Sequence, residues 1–240
     1  MTEPQLQVSI IIPVFNGAAY LAQAIDSALV QSYPHTEVIV IDDASTDGSA
    51  AIASQYSQAV TYHRNETQSG IAASRNKGIE NSSGAFIAFL DADDYWEADK
   101  LKLQVQTMTQ DPTLDIVLGH VQQFISPELE PALQAKLICP PEPMPGYLPG
   151  AMLVRRASLE RVGLFDANWR SGEFIDWYAR AQEHKLRMTM LPDVVLHRRL
   201  HNTNQGVIRR DTRIDYVRIL KASLDRKRQQ QHHENQNRNK

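Results

Sequence analysis

The spacing of apolar residues along this chain alternates between short continuous runs and the 3.6-residue period of a helix. Residues 8–12 (Val-Ser-Ile-Ile-Ile) form a β-branched run that halts at Pro13 and predicts a buried strand. Ala18, Leu21, Ala24, Ile25, Ala28 and Leu29 then recur at helical spacing, with Asn16 placed to cap the start. A second run at 38–41 ends in Asp42-Asp43, and Ser45, Thr46 and Asp47 offer caps for a helix reaching about Tyr56. A weak strand at 60–63 leads to Gly70. Beyond it Ile71, Ala72, Arg75 and Ile79 predict a helix that stops around 81–84. Residues 86–90 (Phe-Ile-Ala-Phe-Leu) predict a fourth strand running directly into Asp91-Ala92-Asp93-Asp94.

Strands and helices alternating in this way predict parallel βαβ units, and ligands of such sheets sit beyond the carboxyl ends of the strands. Three of those ends are polar: Asn16 after the first run, Asp42 and Asp43 after the second, and Asp91, Asp93 and Asp94 after the fourth. The acids therefore converge on one edge of the sheet. The second half has a different texture. A helix is predicted over 96–110, with Leu101 and Val105 on one face, and a strand over 115–125. Residues 139–150 hold five of the twelve prolines and two glycines, which predicts a long irregular loop. Phe174, Trp177, Tyr178 and Ala181 mark a helix opening near 172–173. A strand follows at 194–196, and Ile214, Val217, Leu220 and Leu224 form an amphipathic C-terminal helix.

Composition narrows the class. The chain has 240 residues, 42% apolar and 22% charged, with a net charge of −3. These values exclude a disordered, collagenous or fibrous chain. No apolar run approaches the ~20 residues of a membrane helix, and residues 1–7 lack the features of a secretory signal. Cys139 is the only cysteine, which excludes an internal disulfide and a thiolate metal cluster. A cytoplasmic protein is the default. The charge is uneven: from Arg209 onward ten basic residues stand against four acidic ones, a net +6, leaving −9 on residues 1–208. Such an end is read first as a solvated helix, with contact to an anionic membrane at its inner face as the alternative; no nucleic acid is expected. Residues 226–240 contain no apolar side chain and are expected to be a disordered polar tail.

The chemistry is concentrated at Asp91-Ala92-Asp93. Two nearby carboxylates repel unless a cation with oxygen ligands relieves them, and such a cation can bridge to a diphosphate. An Asp cluster capping the helix ahead is the other reading. Neither a Gly-x-x-x-x-Gly-Lys-Ser/Thr loop nor a Gly-x-Gly-x-x-Gly turn is present, which disfavours P-loop hydrolysis and dinucleotide redox chemistry. Nucleotidyl transfer would also need a glycine-rich phosphate turn, and the first turn, Pro13-Val14-Phe15-Asn16-Gly17, is not one.

The blocks SIIIPVFNGAAYLAQAIDSALVQSY, VIVIDDASTDGS, SGIAASRNKGIENSSGAFIAFLDADD and RVGLFD, in this order and spacing, resemble the family 2 glycosyltransferases over about residues 7–205. The resemblance implies an α/β protein with the GT-A type nucleotide-diphospho-sugar transferase fold, a mostly parallel central sheet flanked by helices. It implies one domain over 1–225: a nucleotide-sugar half (7–110), an acceptor-side half (111–208) and a C-terminal helix (209–225). The implied activity is inverting sugar transfer from a nucleotide diphosphate donor to an acceptor hydroxyl, dependent on Mn²⁺ or Mg²⁺. A UDP-sugar is the favoured donor; the acceptor is unassigned. Pro13, Val14, Phe15 and Asn16 would line the base pocket, and Asp42 or Asp43 would accept from the base. Gly70 would let the backbone approach the nucleoside, with Arg75 near the base or diphosphate. Asp91 and Ala92 would meet the ribose or sugar, and Asp93 would bind the metal.

The segment RRLHNTNQG resembles the family's late Arg-x-His-x-x-Asn stretch and implies His201 as a second metal ligand, with His197 structural. On the acceptor side the chain departs from the family. SGEFIDWYARAQE carries Glu173 where the first acid stands, but Phe174 where an Asp is usual. Glu173 and Asp176 are the candidate general bases, with Glu173 preferred and Asp176 also a candidate ion-pair partner of Arg180. The Phe174 departure motivates an alternative, a catalytically impaired sugar-nucleotide-binding or scaffold protein on the same fold.

Overall fold

The computed structural model describes residues 6–201 and 213–238. Its first half follows the apolar pattern closely. Strand β1 (Val8–Val14) is flanked by β2 (Thr36–Asp42) and β4 (Phe86–Phe89), and β3 (Val60–Arg64) lies outside β2, all parallel. Helices α1 (Leu21–Leu29), α2 (Ser49–Gln55) and α3 (Ile71–Glu80) make the connections. Alternate residues of β1 serve different faces. Ile10 and Ile12 pack with Leu21, Ala24 and Ile25 of α1, while Ile11 packs with Ala72 and Ile79 of α3. Each such fully buried side chain contributes about 1.5–3 kcal/mol, which is why the run carries no polar alternation.

The second half extends the same sheet. Strand β5 (Tyr95–Trp96), helix α4 (Lys100–Gln110), strand β6 (Ile116–Ile125) and a short helix α5 (Pro131–Gln134) come first. Strand β7 (Met144–Pro145), strand β8 (Leu153–Arg155), helices α6 (Arg156–Val162) and α7 (Glu173–Glu183), strand β9 (Met188–Leu200) and helix α8 (Arg213–Arg238) complete the chain. The sheet order is β3-β2-β1-β4-β8-β6-β9-β5, with β7 against β6. Antiparallel pairing of β4 with β8 joins the halves 7–110 and 111–208, and β9 then runs parallel to β6. Among the described residues, no helix is long and apolar enough to cross a membrane.

Four local expectations are corrected. Asn16 does not cap α1, which begins at Leu21; it sits in the preceding turn at φ 51, a left-handed conformation that Asn tolerates. The helix expected over 96–110 starts at Lys100. Tyr95 and Trp96 pair antiparallel with His197 and Leu196, and the Trp96 indole N–H donates to the Gly150 carbonyl at 2.8 Å. Strand β9 is far longer than 194–196, pairing with β6 from Met188 to Leu200 through register shifts near His120 that leave no single period in the sequence. The stretch expected to be a disordered tail from 226 continues α8 to Arg238. Its Gln, Arg and Lys are good helix formers, and Arg226 is bound to α7. Residues 209–212 and 239–240 lie outside the described residues.

Candidate functional site

The polar strand ends meet along one edge of the sheet and are stitched together by their own side chains. The turn after β1 is bonded to the turn after β2: Ser45 Oγ and Ser49 Oγ accept from the Asn16 and Gly17 amides at 3.0 Å each, and Asn16 Oδ1 accepts from the Thr46 amide at 2.8 Å. Pro13 and Val14 are buried within β1, whereas the side chains of Phe15 and Asn16 are exposed in the turn that follows it.

Both members of Asp42-Asp43 are buried and occupied. Asp42 accepts from the Ser45 amide (2.7 Å), the Tyr62 hydroxyl (2.6 Å) and the exposed Arg64 guanidinium (3.4 Å). Asp43 accepts from Asn65 Nδ2 and from the amides of Ser69 and Gly70, all at 2.8 Å. The second carboxylate therefore fixes the turn that opens α3. Gly70 has φ +89, which strains any other residue, and a Cβ placed on it would meet nothing within 4 Å. Its backbone faces open space, as the approach of a ligand requires.

Arg75 is 2% exposed and lies beneath the strand ends, with Nη1 donating to Glu173 Oε1 at 2.6 Å and Nη2 to Asp91 Oδ1 at 2.7 Å. Its guanidinium faces the rings of Phe89 and Phe165 at 6.0 and 5.8 Å. Burial disfavours the cation, but the carboxylates of Asp91 and Glu173 outweigh it and hold Arg75 above its ordinary pKa. The arginine thus joins the end of β4 to the first turn of α7.

Asp91 and Asp93 are both part-exposed and point to different partners. Asp93 Oδ2 lies 2.9 Å from His201 Nε2, and the His201 ring packs on Tyr20. Asp94 turns inward and accepts the Arg199 amide at 2.8 Å; burial and then the charges of Asp93 and Asp91 raise its pKa well above the usual carboxylate range. Ala92 is buried between them. Among the described residues, no group of three His, Cys, Asp or Glu side chains converges as a metal cage. One carboxylate oxygen facing one imidazole nitrogen nevertheless fits a divalent cation that completes its shell with phosphate oxygens and water. The remainder of the Arg-x-His-x-x-Asn stretch, 202–206, lies outside the described residues.

Sequence reasoning missed Arg199. It is buried between the rings of Tyr20 and Phe124 at 4.3 and 4.7 Å, and its Nε donates to the Asp93 carbonyl at 3.0 Å. It also bonds Gln23. The signal was available, since Arg199 is the arginine two residues before His201. His197 takes the structural place expected of it, stacked on Tyr95 at 4.6 Å and 2.5 Å from Glu97 Oε1.

The two candidate bases are separated by the structure. Glu173 opens α7 and, among the described residues, bonds only Arg75. Asp176 is buried behind it, bound by Arg180 Nε at 2.9 Å and Arg226 Nη1 at 3.2 Å. Phe174 is buried and stacks on Trp177. The structure thus brings Asp91, Arg75 and Glu173 together, and Asp93 with His201, while Asp176 belongs to the α7–α8 contact.

A sequence profile described as Glycosyl transferase family 2 matches residues 9–163. A putative teichuronic acid biosynthesis glycosyltransferase, TuaG of Bacillus subtilis, is 42% identical over 115 residues, covering 46% of this chain and 45% of that protein. An uncharacterized glycosyltransferase of Rickettsia typhi is 31% identical over 170 residues, covering 66% and 53%. The chain thus spans about half the length of these relatives. Among solved structures, S. aureus TarS 1-349 in complex with UDP-GlcNAc superposes with TM-score 0.68 at 21% identity, over 83% of this chain and 60% of that one. The mannosyltransferase PcManGT of Pyrobaculum calidifontis, in complex with GDP-Man and Mn²⁺, gives 0.62 at 22% identity, over 82% and 58%. At these identities the likeness is one of fold.

Proposed function

The chain belongs to glycosyl transferase family 2 and has a GT-A type fold, and from that premise we propose that it moves a sugar from a UDP-sugar to an acceptor hydroxyl with inversion. The observation that carries this reading is the double engagement of the β4 end. Asp91 is tied through Arg75 to Glu173 on α7, while Asp93 faces His201 at the end of β9. One element thereby meets both a cation-ligand pair and an acceptor-side acid.

In this reading Phe15, Asn16 and the open backbone at Gly70 receive the nucleoside, over a floor made by Pro13 and Val14. The Asp42 and Asp43 carboxylates hold the loops that frame it. Asp91 and Ala92 meet the ribose or sugar. Asp93 and His201 would hold Mn²⁺ or Mg²⁺, which supplies charge neutralisation for the departing diphosphate. Glu173 accepts the proton from the acceptor hydroxyl as oxygen bonds to the anomeric carbon on the face opposite the leaving group. Arg75 fixes one carboxylate oxygen of Glu173 and leaves the other for the acceptor. Asp176 is not used. A nucleoside-diphosphate donor is supported by neighbours of the same fold, one in complex with UDP-GlcNAc and one with GDP-Man, and UDP is the donor favoured here. A basic C-terminal segment suits an acceptor held at a membrane.

A second reading rests on Phe174 and on the Glu173–Arg75 ion pair, which together describe a donor site whose base is compromised: a sugar-nucleotide-binding protein without turnover. Calorimetric titration with UDP, GDP and dTDP, each with Mn²⁺ and with EDTA, tests the donor site. Hydrolysis of the matching nucleotide sugar then separates the two readings. Metal-dependent binding of UDP with slow donor hydrolysis supports the transferase. Binding without any hydrolysis supports the second reading, and no binding by folded protein removes both.

A further inference from the structure

Helix α8 packs on α7 along one side only. Asp215, Ile219, Ser223 and Arg226, at the spacing of one helical face, turn inward; Ser223 and Arg226 bond Glu183 at 2.8 and 2.7 Å. The opposite side carries Val217, Leu220 and Leu224, which are 68%, 62% and 46% exposed. Three isolated apolar residues on a surface would be ordinary. These lie on one stripe, and exposed Lys221, Lys227 and Arg228 flank it. Over 213–238 the helix holds seven basic residues against three acidic ones, while residues 1–208 are strongly acidic.

We propose that α8 docks the protein on an anionic phospholipid surface, with Val217, Leu220 and Leu224 entering the headgroup boundary and Lys221, Lys227 and Arg228 meeting lipid phosphates. A narrow apolar stripe rimmed by cations is the pattern of a helix lying in the interface plane. A second copy of the chain is the poorer occupant. Two such helices face to face would bring like charges together, and three side chains fall far short of the ~800 Å² per partner of a stable interface. The position of α8 also matters. Ile219 and Tyr216 lie so close to Gly172 that a Cβ there would meet Ile219 Cδ1 at 2.9 Å and the Tyr216 ring at 3.2 Å. Gly172 directly precedes Glu173. Docking through the far side of α8 therefore leaves one helix, about 10 Å, between the acceptor-side acid and the lipid surface; a membrane-held hydroxyl as the acceptor rests on the transferase reading, whereas the docking does not.

The test is flotation of the full chain with vesicles of phosphatidylcholine alone and with about 30% phosphatidylglycerol, at about 50 mM and about 0.5 M NaCl. Binding is expected at least about tenfold tighter to the anionic vesicles, and lost at high salt. Leu220→Glu/Leu224→Glu and Lys221→Glu/Lys227→Glu, all at exposed positions, should each weaken it by about tenfold or more with UDP affinity and thermal midpoint unchanged. Equal binding to neutral vesicles, no binding to either, or insensitivity to both variants overturns the proposal. So does a concentration-dependent dimer that the leucine variant abolishes. Failure of UDP, GDP and dTDP alike to bind would remove the transferase reading and leave the vesicle result standing.

Discussion

Arg75 occupies a position that the helical period assigns to the apolar face of α3, in line with Ile71, Ala72 and Ile79, so its burial was legible even though its role was not. A buried arginine needs anions, and the two it finds come from segments 16 and 98 residues away. No local pattern announces partners at such distance. Removing the cation leaves the buried Glu173 and the part-exposed Asp91 carboxylates without their shared partner. Arg75→Met is therefore expected to cost about 3–5 kcal/mol of stability, read from the urea midpoint. Arg75→Lys should recover only part of it, because one ammonium cannot span both acids as the guanidinium fork does. Full recovery by lysine would contradict the bridging geometry. Glu173→Gln separates chemistry from binding: turnover should fall about 10²- to 10⁴-fold with UDP affinity unchanged. Asp176→Asn should instead lower the thermal midpoint, since Asp176 faces Arg180 and Arg226 and not the site. Loss of turnover by Asp176→Asn at unchanged stability would reverse the assignment of the base.

At the scale of elements, the legible pieces are those whose burial follows one period. Strands β1, β2 and β4 and helices α3 and α7 were readable because each buries a continuous run or a single stripe. Strand β5 and the length of β9 were not, because they are defined by pairing with each other and by register shifts, which leave no period in the sequence. The C-terminal helix was readable to Leu224, where its apolar residues end; what carries it further is an ion pair. Glu183 is buried against Arg226 and Ser223. Burial alone would raise its carboxyl, but the Arg226 and Ser223 hydrogen bonds prevail and hold it below the usual range. A carboxyl lowered on folding gives stability that is fully present above its unfolded value, about 4.3, and lost as pH falls through its lower folded value. The α7–α8 contact should accordingly be intact at neutral pH and loosen only in acid. Hydrogen exchange of the α8 amides is expected to accelerate below about pH 4, and Glu183→Gln should produce that acceleration at pH 7, at a cost of about 1–3 kcal/mol. Unchanged α8 protection in the variant would show that apolar packing alone holds the helix.

Across the whole molecule, one sheet runs through both halves, and the candidate site is assembled where they meet. Asp91 and Asp93 leave the end of β4 in the parallel half; Glu173 and His201 arrive from α7 and β9 in the other. The convergence of the acids on a sheet edge could be read from the chain, since it follows from strand ends alone. Which late residues would close the site could not be read from strand ends, and Glu173 and His201 were named by the family resemblance alone, because their approach depends on β8 pairing antiparallel to β4 and returning the chain across it. The same arrangement has a thermodynamic consequence. A ligand that engages Asp93 and His201 together binds only when both halves are folded, so its binding energy stabilises the molecule as one unit. UDP with Mn²⁺ at about 100 times its dissociation constant should add about 2.7 kcal/mol, which for a chain of this size raises the unfolding midpoint by about 5–10 °C. The unfolding should remain a single transition, moved as a whole. EDTA is expected to remove most of the shift, and Asp93→Asn to remove its dependence on Mn²⁺ while sparing the midpoint of the unliganded protein. An equal shift in EDTA would mean that the nucleotide is held by the β1–β2 side of the site alone. A shift that split the transition in two would mean that the halves unfold separately despite their common sheet.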